Sequence, residues 1–316
     1  MGTYLVTGGC GFIGSHLADR LLADGHAVRI LDDLSTGKLA NKPAAAPLIQ
    51  ACITDAAAVK DAAAGCDGIF HLAAIASVER TTQDWIGTHR VNLTGTIAVF
   101  EAARRARQGN PVPVVYASSA AIYGSTQAAR LDERCLPAPT SAYGADKLGC
   151  ELHARAATFI HGVPTIGLRF FNVYGLRQDP RSPYSGVISI FCDRLTGGRA
   201  IDIHGDGMQL RDFVHVSDVV SALARAMNRL TAGATSEPEV FNVCSGTGTT
   251  IGGLAQLLAR LTGQRLETRH GPARAGDVRH SLGDPTRAGL LLAFQSAVSL
   301  EAGLGQMLGV QRAAAE

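Results

Sequence analysis

Thr7-Gly8-Gly9-Cys10-Gly11-Phe12-Ile13-Gly14 stands between an apolar run at 3–7 and a helical pattern at 11–25. Its glycines fall as Gly8-x-x-Gly11-x-x-Gly14. Gly8 permits a tight turn, Gly11 lets backbone approach a pyrophosphate, and Gly14 lets a helix pack closely on a strand. The open N–H groups where Phe12 and Ile13 start the helix would then face the phosphates. A glycine-rich turn alone is weak evidence, and its context strengthens it. A second apolar strand at 27–32 ends on Asp32, 18 residues past Gly14, close to the ~20 expected of a dinucleotide fold. A carboxylate there accepts the ribose hydroxyls of NAD and repels the additional phosphate of NADP. Neither Arg29 nor Lys38 is placed to clamp such a phosphate.

Working outward, further apolar strands are predicted at 67–72, 112–118 and 163–170, with helices at 84–107 and 142–161. Continuous apolar strands alternating with helices predict a doubly wound α/β fold, a parallel sheet covered on both faces. Past residue 175 Gly and Pro become frequent. Helices at 186–197, 217–230, 250–262 and 297–309 and a strand at 239–243 predict a smaller mixed region. The expected division is a cofactor domain over 1–174, with returns from about 205–245, and a substrate region over 175–204 and 246–316. The Ala-rich stretch 56–64 reads as a surface helix, and Arg104-Arg105-Ala106-Arg107 as the solvated end of the 84–107 helix.

The 316 residues hold 29 Lys and Arg against 27 Asp and Glu, a net charge of +2. That balance gives no basic footprint for nucleic acid. With 46% hydrophobic and 18% charged residues, the chain reads as globular. No apolar run reaches the ~18 residues of a membrane span, and no signal peptide is read at Met1–Val6. The seven cysteines form no CxxC pair and the histidines lack ligand spacing, so reduced thiols, a cytoplasmic setting and no metal are expected.

Tyr143-Gly144-Ala145-Asp146-Lys147 puts a phenol and an ammonium on one helix face, four residues apart. A cation beside a phenol favours the phenolate, the form that acts as a general base. Upstream, Ala117-Ser118-Ser119-Ala120-Ala121 follows a predicted strand, at the sheet end where open α/β folds bind ligands. A serine hydroxyl there can hydrogen-bond an oxygen undergoing oxidation.

Together with TGGCGFIG (7–14), LDDLSTG (31–37), HLAA (71–74), VNLTGT (91–96), SSAAIYG (118–124), SAYGADK (141–147), LRFFNVYG (168–175), GDGMQLRDFVHVSDV (205–219) and GPARAGD (271–277), these features resemble a family. The chain is similar to the extended short-chain dehydrogenases/reductases of the NAD-dependent epimerase/dehydratase family, and most similar to the UDP-glucose and UDP-N-acetylglucosamine 4-epimerases. The resemblance runs from residue 3 to about 309. It implies Tyr143 as base, Lys147 as its support and a ribose ligand, and Ser119 as the catalytic hydroxyl. It implies cofactor contacts from Gly8, Gly11, Phe12, Ile13, Gly14, Asp32, Asp33, Ser35, Gly37, Cys52, Ile53, Leu72, Ala73 and Ala74, with Asn92 close by. For a UDP-sugar it implies Asn172, Arg211 and Arg274 at the diphosphate and Asp277 at the ribose. Tyr174, Val187 and Ile188 would lie near the uracil, and Ser77 and Ser281 beside the sugar. It also implies a homodimer built from the 84–107 and 142–161 helices.

The resemblance narrows the reaction. Dehydratases of the family carry an acidic pair after the catalytic hydroxyl and decarboxylases a glutamate; Ala120 and Ala121 stand there instead. Simple 4-epimerisation of a UDP-hexose is expected, with uronate epimerisation or decarboxylation and a non-catalytic nucleotide sensor as alternatives. Ser281 replaces a bulky tyrosine of epimerases restricted to non-acetylated sugars, and Ala76 is small, so N-acetylhexosamines are expected to fit. Cys52 stands where relatives place an aspartate for the adenine amino group, leaving Ile53 packing and backbone to hold the base. Trp85, the only tryptophan, is placed to anchor the start of the 84–107 helix.

Overall fold

The computed structural model describes residues 1–76, 78–126, 128–179, 186–235, 237–273 and 278–309. In chain order, β1 (Thr3–Thr7), α1 (Phe12–Ala23), β2 (Ala27–Asp32), β3 (Leu48–Gln50), α2 (Ala56–Ala63) and β4 (Gly68–His71) come first. α3 (Val78–Gln83), α4 (Trp85–His89), α5 (Gly95–Arg105), β5 (Val114–Ser119), α6 (Ala142–His161) and β6 (Thr165–Phe170) follow. The chain continues through β7 (Asn172–Tyr174), α7 (Val187–Thr196), β8 (Ile201–His204), β9 (Leu210–His215), α8 (Val216–Thr231) and β10 (Glu239–Val243). β11 (Gly248–Thr250), α9 (Ile251–Thr262), β12 (Thr268–Gly271), β13 (His280–Ser281), α10 (Thr286–Leu292) and α11 (Leu300–Leu308) complete it.

Seven strands form one sheet in the order β10-β6-β5-β4-β1-β2-β3, with every pairing parallel. The wholly buried runs of β4 and β6 are what a sheet covered on both faces requires. On one face Leu17 and Leu21 of α1 pack with Leu223 and Met227 of α8. On the other, Val59 and Ala62 of α2 join Phe100 and Ala103 of α5 and Ala154 of α6. The fold is the doubly wound one expected. Its strand order reverses between β1 and β4, which opens a crevice at the carboxyl ends of those strands. A separate apolar cluster, including Tyr174, Phe191, Phe213, Leu254 and Leu304, lies under a smaller sheet of β11, β9, β13 and β7.

The helix expected over 84–107 runs from Trp85 to Arg105 in helical backbone, with one wider turn inside it. Asp84 accepts from Gly87 N–H at 2.9 Å and so starts α4 afresh. Arg90–Thr94 then forms a wider turn before α5, a deformation that accompanies functional sites. Here it has a visible cause. The Asn92 amide donates to Ile75 O at 3.1 Å and accepts from Ile75 N–H at 2.8 Å, turning that residue away from the helix to brace the loop after β4. Trp85 does not anchor the helix start; its side chain is exposed. The Ala-rich helix α2 is only half a surface element, since Val59, Ala62 and Ala63 are buried. Arg104 and Arg105 pair with Glu101 at the solvated end of α5.

His71 closes β4 as a wholly buried ring, with Nδ1 2.8 Å from Thr7 Oγ1 and Nε2 2.9 Å from Thr96 Oγ1. Burial first, then the Lys147 charge, hold its pKa down at about 3. The folded chain therefore keeps this ring neutral, whereas the unfolded chain protonates it below about 6.5. Between those two values each unit of falling pH costs about 1.4 kcal/mol of stability. Comparing urea unfolding of the wild type with that of His71→Gln isolates this contribution. From pH 6.5 to 5 the wild type should lose about 2 kcal/mol more than the variant, and equal losses would remove His71 as the cause.

Candidate active site

A cavity of about 560 Å³ occupies the crevice at the carboxyl ends of β1, β2, β4 and β5 and continues beneath β7. Its floor is the turn from β1 into α1. Gly8 has φ +71°, and a Cβ on it would lie 2.8 Å from Ala73 N. A Cβ on Gly14 would lie 2.2 Å from Gly8 O, so neither position has room for a side chain. Gly11 starts α1 with no side-chain cap and no acidic residue in the first turn. The amino end of α1, with Gly11, Phe12, Ile13 and Gly14 in the cavity wall, is therefore open to an anion.

Asp32 ends β2 in the same wall and is buried. One carboxylate oxygen accepts from Cys10 N–H and the other from Leu34 N–H, each at 2.9 Å. Both oxygens keep a further acceptor position, as a diol ligand requires. Burial pushes the carboxyl up, partly offset by those two donors. Asp33, Ser35 and Gly37 continue the wall, with Ser35 held by N–H and hydroxyl on Asp33. Cys52 and Ile53 form the far end. The Cys52 thiol accepts from Thr54 Oγ1 at 3.2 Å, while Ile53 is buried against the sheet. Leu72, Ala73 and Ala74 complete this half. An uncapped helix start, a side-chain-free turn and an acceptor carboxylate thus fit the pyrophosphate and ribose of a dinucleotide.

Ser119, Tyr143 and Lys147 line the same cavity. Ser119 ends β5 and its hydroxyl accepts from Ala121 N–H at 3.1 Å, starting a short turn over Ala120–Tyr123. Ser141 caps α6 through Gly144 N–H. Two residues into α6, Tyr143 is half-buried. One turn later Lys147 is 3% exposed. Its Nζ donates to Ala117 O at 2.8 Å and sits 5.8 Å from the Tyr143 ring centroid. The ammonium thus lies between the end of β5 and the phenol.

Asn172, Val187, Ile188 and Tyr174 line the other half, and the Asn172 amide donates to Asp212 O at 3.0 Å. Among the described residues, three of those expected at the site are not in the wall of this cavity. Asn92 is buried and braces Ile75 of the cavity wall from behind. Arg211 and Ser281 are register partners on β9 and β13, outside the lining set, and Arg211 Nη1 donates to Leu210 O. Ser77, Arg274 and Asp277 lie outside the described residues. Sequence reasoning missed Arg177, Gln178 and Asp179, and drew no contact from Lys38, yet all four line the cavity. The signal available was the polar run itself, one residue past LRFFNVYG.

Comparison with known proteins agrees with this geometry. Residues 4–244 match the model of the NAD dependent epimerase/dehydratase family. A UDP-glucose 4-epimerase of Mycolicibacterium smegmatis is 38% identical over 313 residues, 96% of each chain. The structure of UDP-glucose 4-epimerase from Thermotoga maritima with UDP-glucose superposes with a TM-score of 0.91 at 35% identity, covering 98% of both chains. UDP-N-acetylglucosamine 4-epimerase from Methanobrevibacter ruminantium, in complex with UDP-N-acetylmuramic acid, gives 0.90 at 31% identity over 98% of this chain and 97% of that one. With its cavity built for a dinucleotide, this chain belongs to the NAD-dependent epimerase/dehydratase family.

Proposed function

We propose that the protein interconverts UDP-hexoses epimeric at C4. The observation that carries this reading is that Ser119, Tyr143 and Lys147 share one cavity with the phosphate-binding turn and Asp32. Bound NAD supplies a reversible hydride acceptor for the sugar C4. Tyr143, as phenolate, takes the proton of the 4-hydroxyl, and Ser119 hydrogen-bonds the same oxygen. Lys147 is held beside the ring by its bond to Ala117 O. The transient 4-keto sugar turns about its diphosphate link, and Tyr143 returns the proton once the opposite face is presented. Ala120 and Ala121 carry only methyl groups and donate no proton to a leaving hydroxyl, which favours epimerisation over dehydration or decarboxylation.

On this reading the seven-stranded part holds the cofactor and the smaller part holds the nucleotide sugar, with Asn172, Arg211, Arg274 and Asp277 around its diphosphate and ribose. Ala76 in the cavity wall and the small Ser281 leave space for an N-acetyl group. The solved relative named for UDP-N-acetylglucosamine supports that breadth. Exposed Trp85, Ile86, Ile97, Leu152, Phe159 and Ile160 on α4, α5 and α6 support a homodimer through those helices, since apolar surface of this kind is covered in assemblies.

UDP-glucose, UDP-N-acetylglucosamine and UDP-glucuronate offered in turn, with products read by NMR, test the reaction. The first two should each equilibrate with their C4 epimers. Tyr143→Phe should bind NAD normally and lose about 10²–10⁴ in turnover, the range of a general base; near wild-type turnover would refute its role. Ser281→Tyr should cut turnover of UDP-N-acetylglucosamine at least tenfold while sparing UDP-glucose, as one misfit group in a pocket does. Unchanged discrimination between the two sugars would show that Ser281 does not set it.

A further inference from the structure

The backbone leaving β7 runs along the cavity, and Arg177, Gln178 and Asp179 all form part of its wall. Three contacts tie this segment to the opposite lip. His16 Nε2 lies 2.9 Å from Leu176 O. Arg177 Nη2 lies 2.7 Å from Asp19 Oδ2, and Asp179 Oδ2 lies 2.6 Å from Lys38 Nζ. His16 and Asp19 belong to α1, whose amino end faces the expected pyrophosphate. Lys38 follows Gly37, and its N–H donates to Cys10 O in the glycine-rich turn. The segment is therefore attached to the two elements that cradle the cofactor.

The segment is also folded tightly on itself. Gln178 Nε2 donates to Val173 O at 3.3 Å and its Oε1 accepts from Ser189 Oγ at 2.6 Å, which joins it to α7. Arg177 adopts φ +66°. A non-glycine residue keeps that conformation only where its surroundings over-determine it, a condition that clusters at ligand clamps. Lys38 is half exposed and Asp179 a quarter exposed, so this pair can open to solvent without disturbing the core.

We propose that 175–179 is a strap closing over bound NAD, with the Lys38–Asp179 ion pair as its clasp. The inference rests on NAD as cofactor and not on the choice of sugar. A redox-neutral reaction holds its cofactor reduced halfway through each cycle, so cofactor lost at that point ends turnover. Lys38 and Asp179 are positioning residues here: they hold the strap, and the strap holds the cofactor.

The test is the release rate of bound etheno-NAD, a fluorescent analogue, chased with excess NAD from the full chain. Lys38→Met and Asp179→Asn should each speed release about fivefold, the scale of one partly exposed ion pair. The reversed pair, Lys38→Asp with Asp179→Lys, should recover most of the slow release. Circular dichroism of each variant checks that it is folded. Wild-type release rates in both single variants would overturn the clasp. So would acceleration in only one of them, or a reversed pair no slower than the singles, since the two charges would then act separately. A wild-type chain that binds no dinucleotide would overturn the cofactor assignment and the strap with it, an outcome distinct from the others.

Discussion

The contact between the turn after β1 and the backbone after β4 is the constraint on which the rest depends. A Cβ on Gly8 would lie 2.8 Å from Ala73 N, and one on Gly14 2.2 Å from Gly8 O. With only hydrogens there, three pieces of backbone meet without a side chain between them. The helix α1 then starts flush with the sheet, and its open amino end faces the crevice at the strand-order reversal. Asp32 fastens the same turn from the far side through Cys10 N–H. Fold and cofactor site thus share atoms, and a side chain at either glycine would damage both together.

A second set of interactions fixes the chemical half of the site. Glu151 on α6 accepts from Ser118 at 2.6 Å and pairs with Arg169 on β6 through both carboxylate oxygens, at 2.9 and 2.8 Å. Arg169 also donates to Tyr123, which donates to Asn242 on β10. Such a fully satisfied buried network sets position more than it adds stability. It locks α6 against the end of β5 one residue before Ser119. Lys147 is held in place by this arrangement, nearly solvent-free, with a neutral carbonyl as acceptor. Among the described residues it pairs with no carboxylate. The Tyr143 ring is the aromatic group beside it, with its centroid 5.8 Å from Nζ.

Much of this was legible because the major strands are apolar runs and the glycine spacing is local. The strands β1, β2, β4, β5 and β6 each read as apolar runs, and β10 as a short strand. β12, Thr268–Gly271, could not be read, since all four of its residues are exposed and only pairing with β8 defines it. The wider turn between α4 and α5 was hidden for a different reason. Helical periodicity continues through 84–107, and the wider turn falls where Asn92 and Ile75, 17 residues apart, exchange two hydrogen bonds. Asn92, expected close to the cofactor, stands directly behind the cavity wall, bonded to Ile75. Ser119, Tyr143 and Lys147 were legible as a spacing, and their convergence followed from the parallel order of β5 and the packing of α6. The polar run Arg177-Gln178-Asp179 had no periodicity to betray it, since its partners lie on α1 and after β2.

The small net charge of +2 now has a structural meaning. A site for a doubly charged pyrophosphate would be expected to gather cations, and Lys38, Arg80, Lys147 and Arg177 stand in the cavity wall. Arg177 is paired with Asp19, and Lys38 with Asp179. The charges of those two join the lips, while oriented N–H dipoles at the start of α1 face the phosphates. Dipoles fixed in the fold act at short range and discriminate by shape. Paired surface cations hold a lid and weaken as salt rises. Dividing the work this way separates recognition of the cofactor from its retention. A chain with almost equal numbers of acidic and basic residues can therefore bind a highly charged ligand without presenting a basic surface to other polyanions.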